Sequence, residues 1–397
     1  MDFTQKLFPT NLLFFHKIFT TVTHIYCFRT ERDLKAIILA GGVGTRLRPL
    51  SCTRPKLLFP LLNKPLLDHT LERLAETGVN GVTLAVKFMA DSFMKRYGKS
   101  TNGMTISYSK EKIPMRTGGA IKYAEQLIGH EDQFLVLNGD IFTTIDYTEL
   151  IRKHKENEAV ATIALYRVED PSRYGTVKLT NYNRITQFVE KAPLGKAPSN
   201  LINAGVYVLD PKIFDYIPAG RPVSIEREVF PKLAEQGKLF GYTFTDVWID
   251  IGKPEDYLRA NKVMLDVSTE KRLIGPGAKL EVEVGFIDPV MVDSGVTVGS
   301  NSKIGPYAIV GRDTVLGRNI HLENSVVFPE VTISDDASVK GAVIGEAVTI
   351  GKGATISEGC VIGDYVTISN NVTLSRNVTV CHSKEVKENI TESTHII

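Results

Sequence analysis

A charge excess of either sign is missing from this chain. Its 47 Lys and Arg residues face 45 Asp and Glu residues over 397 positions, for a formal net charge of +2. Proteins that wrap nucleic acid carry a basic excess, so no nucleic-acid partner is expected. Cysteine is scarce: Cys27, Cys52, Cys360 and Cys381 are the four, and no two stand at a CxxC spacing. That argues against a disulfide-stapled scaffold or a zinc ribbon and fits a reducing, cytoplasmic compartment. No apolar run reaches the roughly 18 residues that a membrane helix requires. The longest uncharged stretch near the start, 18–28, has no Ala-x-Ala-like cleavage site after it, so neither secretion nor a membrane partner is expected.

What is present is ordinary globular material. Hydrophobic residues make up 43% and charged residues 23%, enough apolar surface for a sizeable core and too much for a disordered regulator. At about 150 residues per domain, the length predicts two or three domains.

The last third repeats every six residues. Val292, Val298, Ile304, Val310, Leu316, Leu322 and Phe328 are spaced by six, with Gly299, Gly305, Gly311 and Gly317 directly after four of them. A second run holds Ile344, Ile350, Ile356, Ile362, Ile368, Leu374 and Val380. The sixteen-residue gap from Phe328 to Ile344 predicts one irregular turn near 329–343. A period of six is neither helix nor ordinary strand. It predicts a parallel β-helix of short strands and glycine-assisted corners, each coil burying its apolar position against its neighbours. The pattern resembles the left-handed hexapeptide β-helix family. Many such helices are acyltransferases with a catalytic histidine, and His321 and His382 are the candidates here. No lysine-rich coenzyme A signature accompanies them, so the β-helix is expected to serve homo-oligomerisation or regulation.

The first two thirds alternate strand and helix. Strands are predicted at 35–40, 82–86, 104–108, 134–138, 160–167, 174–179, 185–189, 204–209 and 239–251. Helices are predicted at 65–78, 118–128, 147–157, 225–237 and 254–265. This alternation implies an α/β domain with a mixed, mostly parallel sheet that binds ligands at the carboxyl ends of its strands. The first such end runs into Gly41-Gly42-Val43-Gly44-Thr45-Arg46. Glycines let backbone N–H groups approach phosphate oxygens closely, and an arginine forks onto a phosphate. No Gly-Lys-Ser/Thr follows, so the loop is not a Walker A loop, nor has it the spacing of a dinucleotide fingerprint.

Later residues narrow the reading. Thr53-Arg54-Pro55-Lys56 adds a second cation ten residues after Arg46. Leu137-Asn138-Gly139-Asp140 ends an apolar strand. Pro171-Ser172-Arg173-Tyr174-Gly175, Glu190-Lys191, Ile202-Asn203-Ala204-Gly205 and Trp248-Ile249-Asp250-Ile251-Gly252 follow in order. Together these segments resemble the sugar-1-phosphate nucleotidyltransferases, over about 34–262. Ser224-Ile225-Glu226-Arg227-Glu228-Val229-Phe230-Pro231 looks most like the mannose-1-phosphate guanylyltransferase branch, whose architecture also adds a hexapeptide β-helix.

The resemblance implies a Rossmann-like catalytic domain over 34–265, a linker over 266–285, the β-helix over 286–382 and a polar tail over 383–397. It implies that Ala40, Gly41, Gly42, Gly44, Thr45, Arg46, Lys56, Glu111, Thr117 and Gly118 hold the nucleotide. Asn138, Gly175, Glu190, Lys191 and Asn203 hold the sugar phosphate, and Asp140 and Asp250 bind magnesium. The catalytic set is then Arg46, Lys56, Asp140, Lys191 and Asp250. The expected reaction joins GTP and mannose-1-phosphate into GDP-mannose and pyrophosphate. A uridylyl-, thymidylyl- or adenylyltransferase, or a non-catalytic subunit that binds a nucleotide-sugar, are the alternatives. Three positions depart from the family pattern. Leu57 and Ala192 stand where prolines are usual. Arg116, within Pro114-Met115-Arg116-Thr117-Gly118-Gly119, replaces a glycine of the base-recognition segment and leaves the base open. Family members often begin where Leu34 stands, so 1–33 is expected to be an extension produced by a mis-called start.

Overall fold

The structure, a computed structural model, describes residues 34–130, 132–193 and 195–396. The expected mis-called start over 1–33 lies outside the described residues. The chain divides into two compact units, the first reaching Tyr257 and the second starting at Leu258.

The first unit is built on a twisted mixed sheet. Its centre is β1 (Lys35–Ala40), flanked by β2 (Gly81–Val86) and β4 (Phe134–Asn138), both parallel to it. β3 (Met104–Lys110) extends the parallel half beyond β2. On the other side β9 (Leu201–Leu209) joins β4 antiparallel and bridges to β7 (Gly175–Leu179) and β6 (Ala161–Arg167). β8 (Ile185–Glu190) pairs antiparallel with β7, and β10 (Leu239–Thr243) pairs parallel with β6. β1 is covered on both faces, which is why it reads as an unbroken apolar run rather than an alternation. Ile38 faces a core layer with Leu67, Leu71 and Leu84, while Ile37 faces the opposite layer with Ile121, Phe134 and Tyr207.

Helices follow apolar spacing. α1 (Leu66–Glu76) buries Leu66, Leu67, Leu71 and Leu74, and α4 (Tyr147–Glu156) starts where Asp146 accepts the Glu149 N–H at 3.0 Å. α2 (Ala90–Tyr97) escaped the sequence reading because it buries only Phe93 and Tyr97. The helix predicted at 118–128 begins at Arg116, as α3 (Arg116–Tyr123), and is broken at Ala124. The one predicted at 225–237 opens as a π-turn, Ile225–Val229, before α5 (Phe230–Glu235). Pro231 has no N–H to continue an α ladder, so the wider turn absorbs it.

The strand predicted at 239–251 is two strands. β10 ends at Thr243, the polar pair Thr245 and Asp246 interrupts, and β11 (Trp248–Asp250) leaves the main sheet. It pairs antiparallel with β5 (Ile141–Thr143), facing Asp250 against Ile141. α6 (Pro254–Val267) follows and carries the change from one unit to the next.

The second unit is a parallel β-helix, consistent with the left-handed hexapeptide form. Three sheets of eight, seven and six strands run along it. Two domain boundaries move. Arg272–Ile274, Lys279–Leu280 and Gly285–Phe286 already pair with the next coil, so the expected linker over 266–285 contains the first coil. Glu385–Val386 and His395–Ile396 pair with the preceding coil, so the expected tail over 383–397 contains strands as well. The end coils keep the six-residue step, with Ile274, Leu280 and Phe286 before Val292 and Val386 after Val380; the first three are less buried than inner positions because one face of an end coil meets no further coil.

The phase break also differs from the expectation. Val327, not Phe328, stacks between Val310 and Ile344. The register therefore shortens by one residue twice, from Leu322 to Val327 and from Val339 to Ile344. Several corners expected of glycine are made instead by Asn301, Asp313, Asn319, Asp336, Asn371 and Asn377, all left-handed, a conformation that Asn and Asp tolerate. Gly299 serves closeness instead: a Cβ there would stand 2.6 Å from the Gly317 carbonyl carbon of the next coil.

Among the described residues no helix is long and apolar enough to cross a membrane. Burial holds the imidazoles of His69 and His154 neutral, each pushed down to about 4 from 6.5. The unfolded chain binds more protons between those values, so stability is full above pH about 6.5 and is lost as pH falls toward 4. Each histidine contributes about 1.4 kcal/mol per pH unit across that window. Trp248 is the only tryptophan and lies in the first unit, so its fluorescence reports unfolding there. The urea midpoint should fall between pH 7 and pH 5; a flat profile would mean that these imidazoles protonate in the fold.

Candidate active site

The parallel strands end at one cavity of about 730 Å³. Its wall includes Arg46, Thr117, Asn138, Asp140, Gly175, Glu190, Lys191, Asn203 and Asp250, all singled out from the sequence. Lys56 enters from beneath: it is buried, and its Nζ lies 2.9 Å from Asp140 Oδ2.

The glycine loop leaves β1 directly. Ala40 ends the strand buried, Gly41 and Gly42 follow, and Gly44 has φ 65 before a short 3-10 turn of Thr45, Arg46 and Leu47. Ser51 Oγ donates to the Gly44 carbonyl at 2.8 Å and ties the loop down. Thr45 and Arg46 are exposed, and Arg46 makes no ion pair among the described residues.

The acidic pair depends on strand pairing. Gly139 donates its N–H to the Leu39 carbonyl at 3.1 Å and packs on Leu57; a Cβ there would stand 2.5 Å from Leu57 Cδ2 and 2.9 Å from that carbonyl. Leu57, one of the three departures, thus floors the turn that presents Asp140. The Ile251 N–H donates to the Asp140 carbonyl at 3.0 Å, closing the β5–β11 ladder that carries Asp250 alongside. Burial first, then the Asp140 carboxylate, push the Asp250 carboxyl above its ordinary range, while Lys56 pulls it down. Two carboxylates sharing one field resist joint ionisation unless a cation joins them.

On the antiparallel side, Gly175 pairs with Glu190. Burial and the neighbouring Glu226 carboxylate raise the Glu190 carboxyl, and Lys191 opposes them. Lys191 is exposed at φ 51, and Ala192 behind it is buried. Asn203 Nδ2 donates to Tyr207 Oη at 2.9 Å, and its Oδ1 accepts the Gly205 N–H at 2.9 Å, holding the turn where β9 leaves the β6 ladder. Asn138 Oδ1 is buried without a hydrogen-bond partner, an acceptor left for a ligand donor.

Besides Lys56 and the glycine-loop residues Ala40, Gly41, Gly42, Gly44 and Thr45, two more sequence candidates lie off the cavity wall. Glu111 follows β3, its carboxyl raised by burial and accepting the Met115 N–H at 2.9 Å. Gly118 is buried in α3, where a Cβ would stand 3.1 Å from the Ile225 backbone nitrogen. Five wall residues were not assigned roles from the sequence: Ile141, Arg173, Tyr174, Glu226 and Trp248. Glu226 Oε2 accepts from Thr117 Oγ1 at 2.6 Å and Ser224 Oγ at 2.7 Å. Trp248 donates to the Ala204 carbonyl and stacks on Tyr166. All five but Ile141 stand within quoted segments, but only the folded chain turns them inward.

The nucleotidyl transferase family model matches residues 35–267, and the GMPPB C-terminal domain model matches 286–397. The chain belongs to the nucleotidyl transferase family. It is 40% identical over 272 residues to the mannose-1-phosphate guanylyltransferase catalytic subunit beta of Xenopus tropicalis, covering 68% of this chain and 74% of that one. HddC from Yersinia pseudotuberculosis, solved in complex with GMP-PN, is 32% identical at TM-score 0.50, covering 58% of this chain and 99% of its own. A UDP-glucose pyrophosphorylase from Acinetobacter baumanii matches in fold, at 22% identity and TM-score 0.54, over 59% of this chain and 94% of its own.

The third departure within this nucleotidyl transferase domain now has a backbone meaning. Arg116 opens α3 at φ 59, in the left-handed region that glycine occupies freely and other residues enter at a cost of about 1–3 kcal/mol. Arg116→Gly should stabilise the protein by about 1 kcal/mol after glycine's unfolded-state entropy is subtracted, about 2–4 °C in Tm for a unit of this size. A lower Tm would show that the guanidinium makes a compensating contact.

Proposed function

We propose that this protein transfers a guanylyl group from GTP to mannose-1-phosphate, giving GDP-mannose and pyrophosphate. One observation carries the reading: Asp140 and Asp250 converge in one cavity with Arg46 and Lys191, with Lys56 directly behind Asp140. The likeness to guanylyltransferases along more than two thirds of the chain supports the base and sugar.

The chemistry needs little from a protein nucleophile. The attacking atom is a phosphate oxygen of the sugar phosphate, already ionised at pH 7. Its new bond to the nucleotide α-phosphorus forms as the bond to the β-phosphate oxygen breaks, and pyrophosphate carries away that electron pair. The barrier lies in bringing two polyanions into line, so positioning and charge neutralisation dominate. Lys191 holds the sugar phosphate for attack. Lys56 lies nearest the α-phosphate, where charge accumulates. Arg46 and the amides of the glycine loop hold the outer phosphates. Glu190, Asn203 and Asn138 offer hydrogen bonds to sugar hydroxyls, and Gly175 leaves them room. Glu111, Thr117 and Gly118 border the base.

A divalent cation fits the donor set. Asp140 and Asp250 are hard oxygen donors, and no group of three or more His, Cys, Asp or Glu suited to a metal occurs among the described residues. Magnesium binds well through one or two carboxylates because it keeps several waters. Held by Asp140 and Asp250, it supplies charge neutralisation for the phosphates during transfer.

Pyrophosphate release should be measured with GTP, UTP, dTTP, ATP and CTP, each crossed with mannose- and glucose-1-phosphate. Release with GTP and mannose-1-phosphate is expected; release with another pair would reassign the substrate. Asp140→Asn and Asp250→Asn should each lower kcat by about 10²-fold or more, with the Tm retained. Full activity in either would remove that carboxylate from the mechanism. We also propose that the β-helix joins copies of the chain. Light scattering of the full chain should then give a mass above that of one chain, and a monomer mass would end that role.

A further inference from the structure

We propose that Arg173 is a second cationic ligand of the departing pyrophosphate, held toward that position by Asp256. This rests on the nucleotidyl-transfer reading above and adds a residue to it. Arg173 belongs to the segment that, at Gly175, faces Glu190. Arg173, two residues earlier, lines the same cavity. A methyl group built on Gly252 would stand 3.3 Å from an Nη of Arg173 and 3.3 Å from an Nη of Arg46. Two guanidinium groups thus crowd one point beside the glycine loop, and both line the cavity.

Like charges do not gather without a reason. Arg46 has no ion pair among the described residues. Arg173 has two, and both are long: Nη2 lies 3.8 Å from Asp250 Oδ2 and 3.4 Å from Asp256 Oδ2. Charge-assisted hydrogen bonds of this type close to about 2.7–2.9 Å when satisfied. A guanidinium offers five donors, so the pair keeps donors free for an oxyanion between them. The position is also held. Arg173 lies over the Tyr174 ring at 5.7 Å, and that ring meets Trp248 edge-on. Asp256, in the first turn of α6, is largely buried. It offsets the positive charge at rest and aims the fork toward Arg46.

The neighbourhood selects the ligand. A phosphate oxyanion could come from the sugar phosphate or from the outer phosphates of the nucleotide. Arg46, on the glycine loop, shares the point with Arg173. That favours the outer phosphates, which leave as pyrophosphate. Asp256 touches no substrate in this scheme and is a positioning residue.

The test uses the full chain and inorganic pyrophosphate, followed by calorimetry and by KM in the reverse reaction with GDP-mannose. Arg173→Gln should weaken pyrophosphate about tenfold or more while the KM for mannose-1-phosphate in the forward direction stays within about twofold. Arg173→Lys should recover part of the loss, since it restores charge without the fork. Asp256→Asn should weaken pyrophosphate less. Combined with Arg173→Gln it should add nothing further, because both act through one guanidinium. Thermal melts verify folding, and Arg173→Lys serves if the glutamine variant does not fold. Unchanged pyrophosphate affinity in Arg173→Gln, a loss confined to mannose-1-phosphate, or fully additive effects of the two substitutions would each overturn the inference. Wild-type turnover alongside such a result leaves the proposed reaction standing. A wild-type chain that neither binds pyrophosphate nor turns over any substrate pair overturns both.

Discussion

The pairing of Trp248–Asp250 with Ile141–Thr143 is the constraint on which the site depends. Three residue pairs hold two carboxylates side by side, although 110 positions separate them in the chain. Burial and mutual repulsion push Asp250 up, and the Lys56 ammonium behind Asp140 offsets part of the cost. A site in this condition favours any cation that can bridge the two oxygens, and after it the phosphates that such a cation attracts. The arrangement is specific because it is short. A one-residue slip in this ladder would turn Asp250 to the other face.

The same logic of forced proximity extends around the cavity. Arg46 and Arg173 are crowded against Gly252 on one side, and Glu190 and Glu226 repel on the other. In the proposed reaction the cations would meet phosphates and the acceptors hydroxyls. The sheet makes this affordable by ending its parallel strands together and burying the strain of assembly under two apolar layers. The β-helix works by a different economy of structure. Each coil needs only its neighbours, so the stack tolerates two five-residue steps, at Val327 and Ile344, without losing its apolar column.

Much of this was legible in the chain itself, for local reasons. The hexapeptide period announced the β-helix because every coil repeats the same burial. The glycine loop pointed to a phosphate site because backbone approach needs small residues, and it lies directly at the end of the first strand. Asp140 stood out as the end of an apolar strand. Other features were hidden because their signal is not local. The end coils are not among them: Ile274, Leu280, Phe286 and Val386 keep the six-residue step. The 239–251 segment read as one strand, since nothing in its pattern reveals that its second half leaves the sheet for Ile141–Thr143. Arg173, Glu226 and Trp248 are polar or aromatic residues of ordinary appearance until folding turns them into the cavity.

By itself, then, the amino-acid order determined the two-part architecture, the family and the inventory of charged groups, because periodicity, glycine placement and strand ends are properties of neighbouring residues. Only the tertiary structure decided which charges meet. Coulomb forces act across space rather than along the chain, and it is the fold that brings Lys56 to Asp140, Asp250 beside it, and Arg173 opposite Arg46.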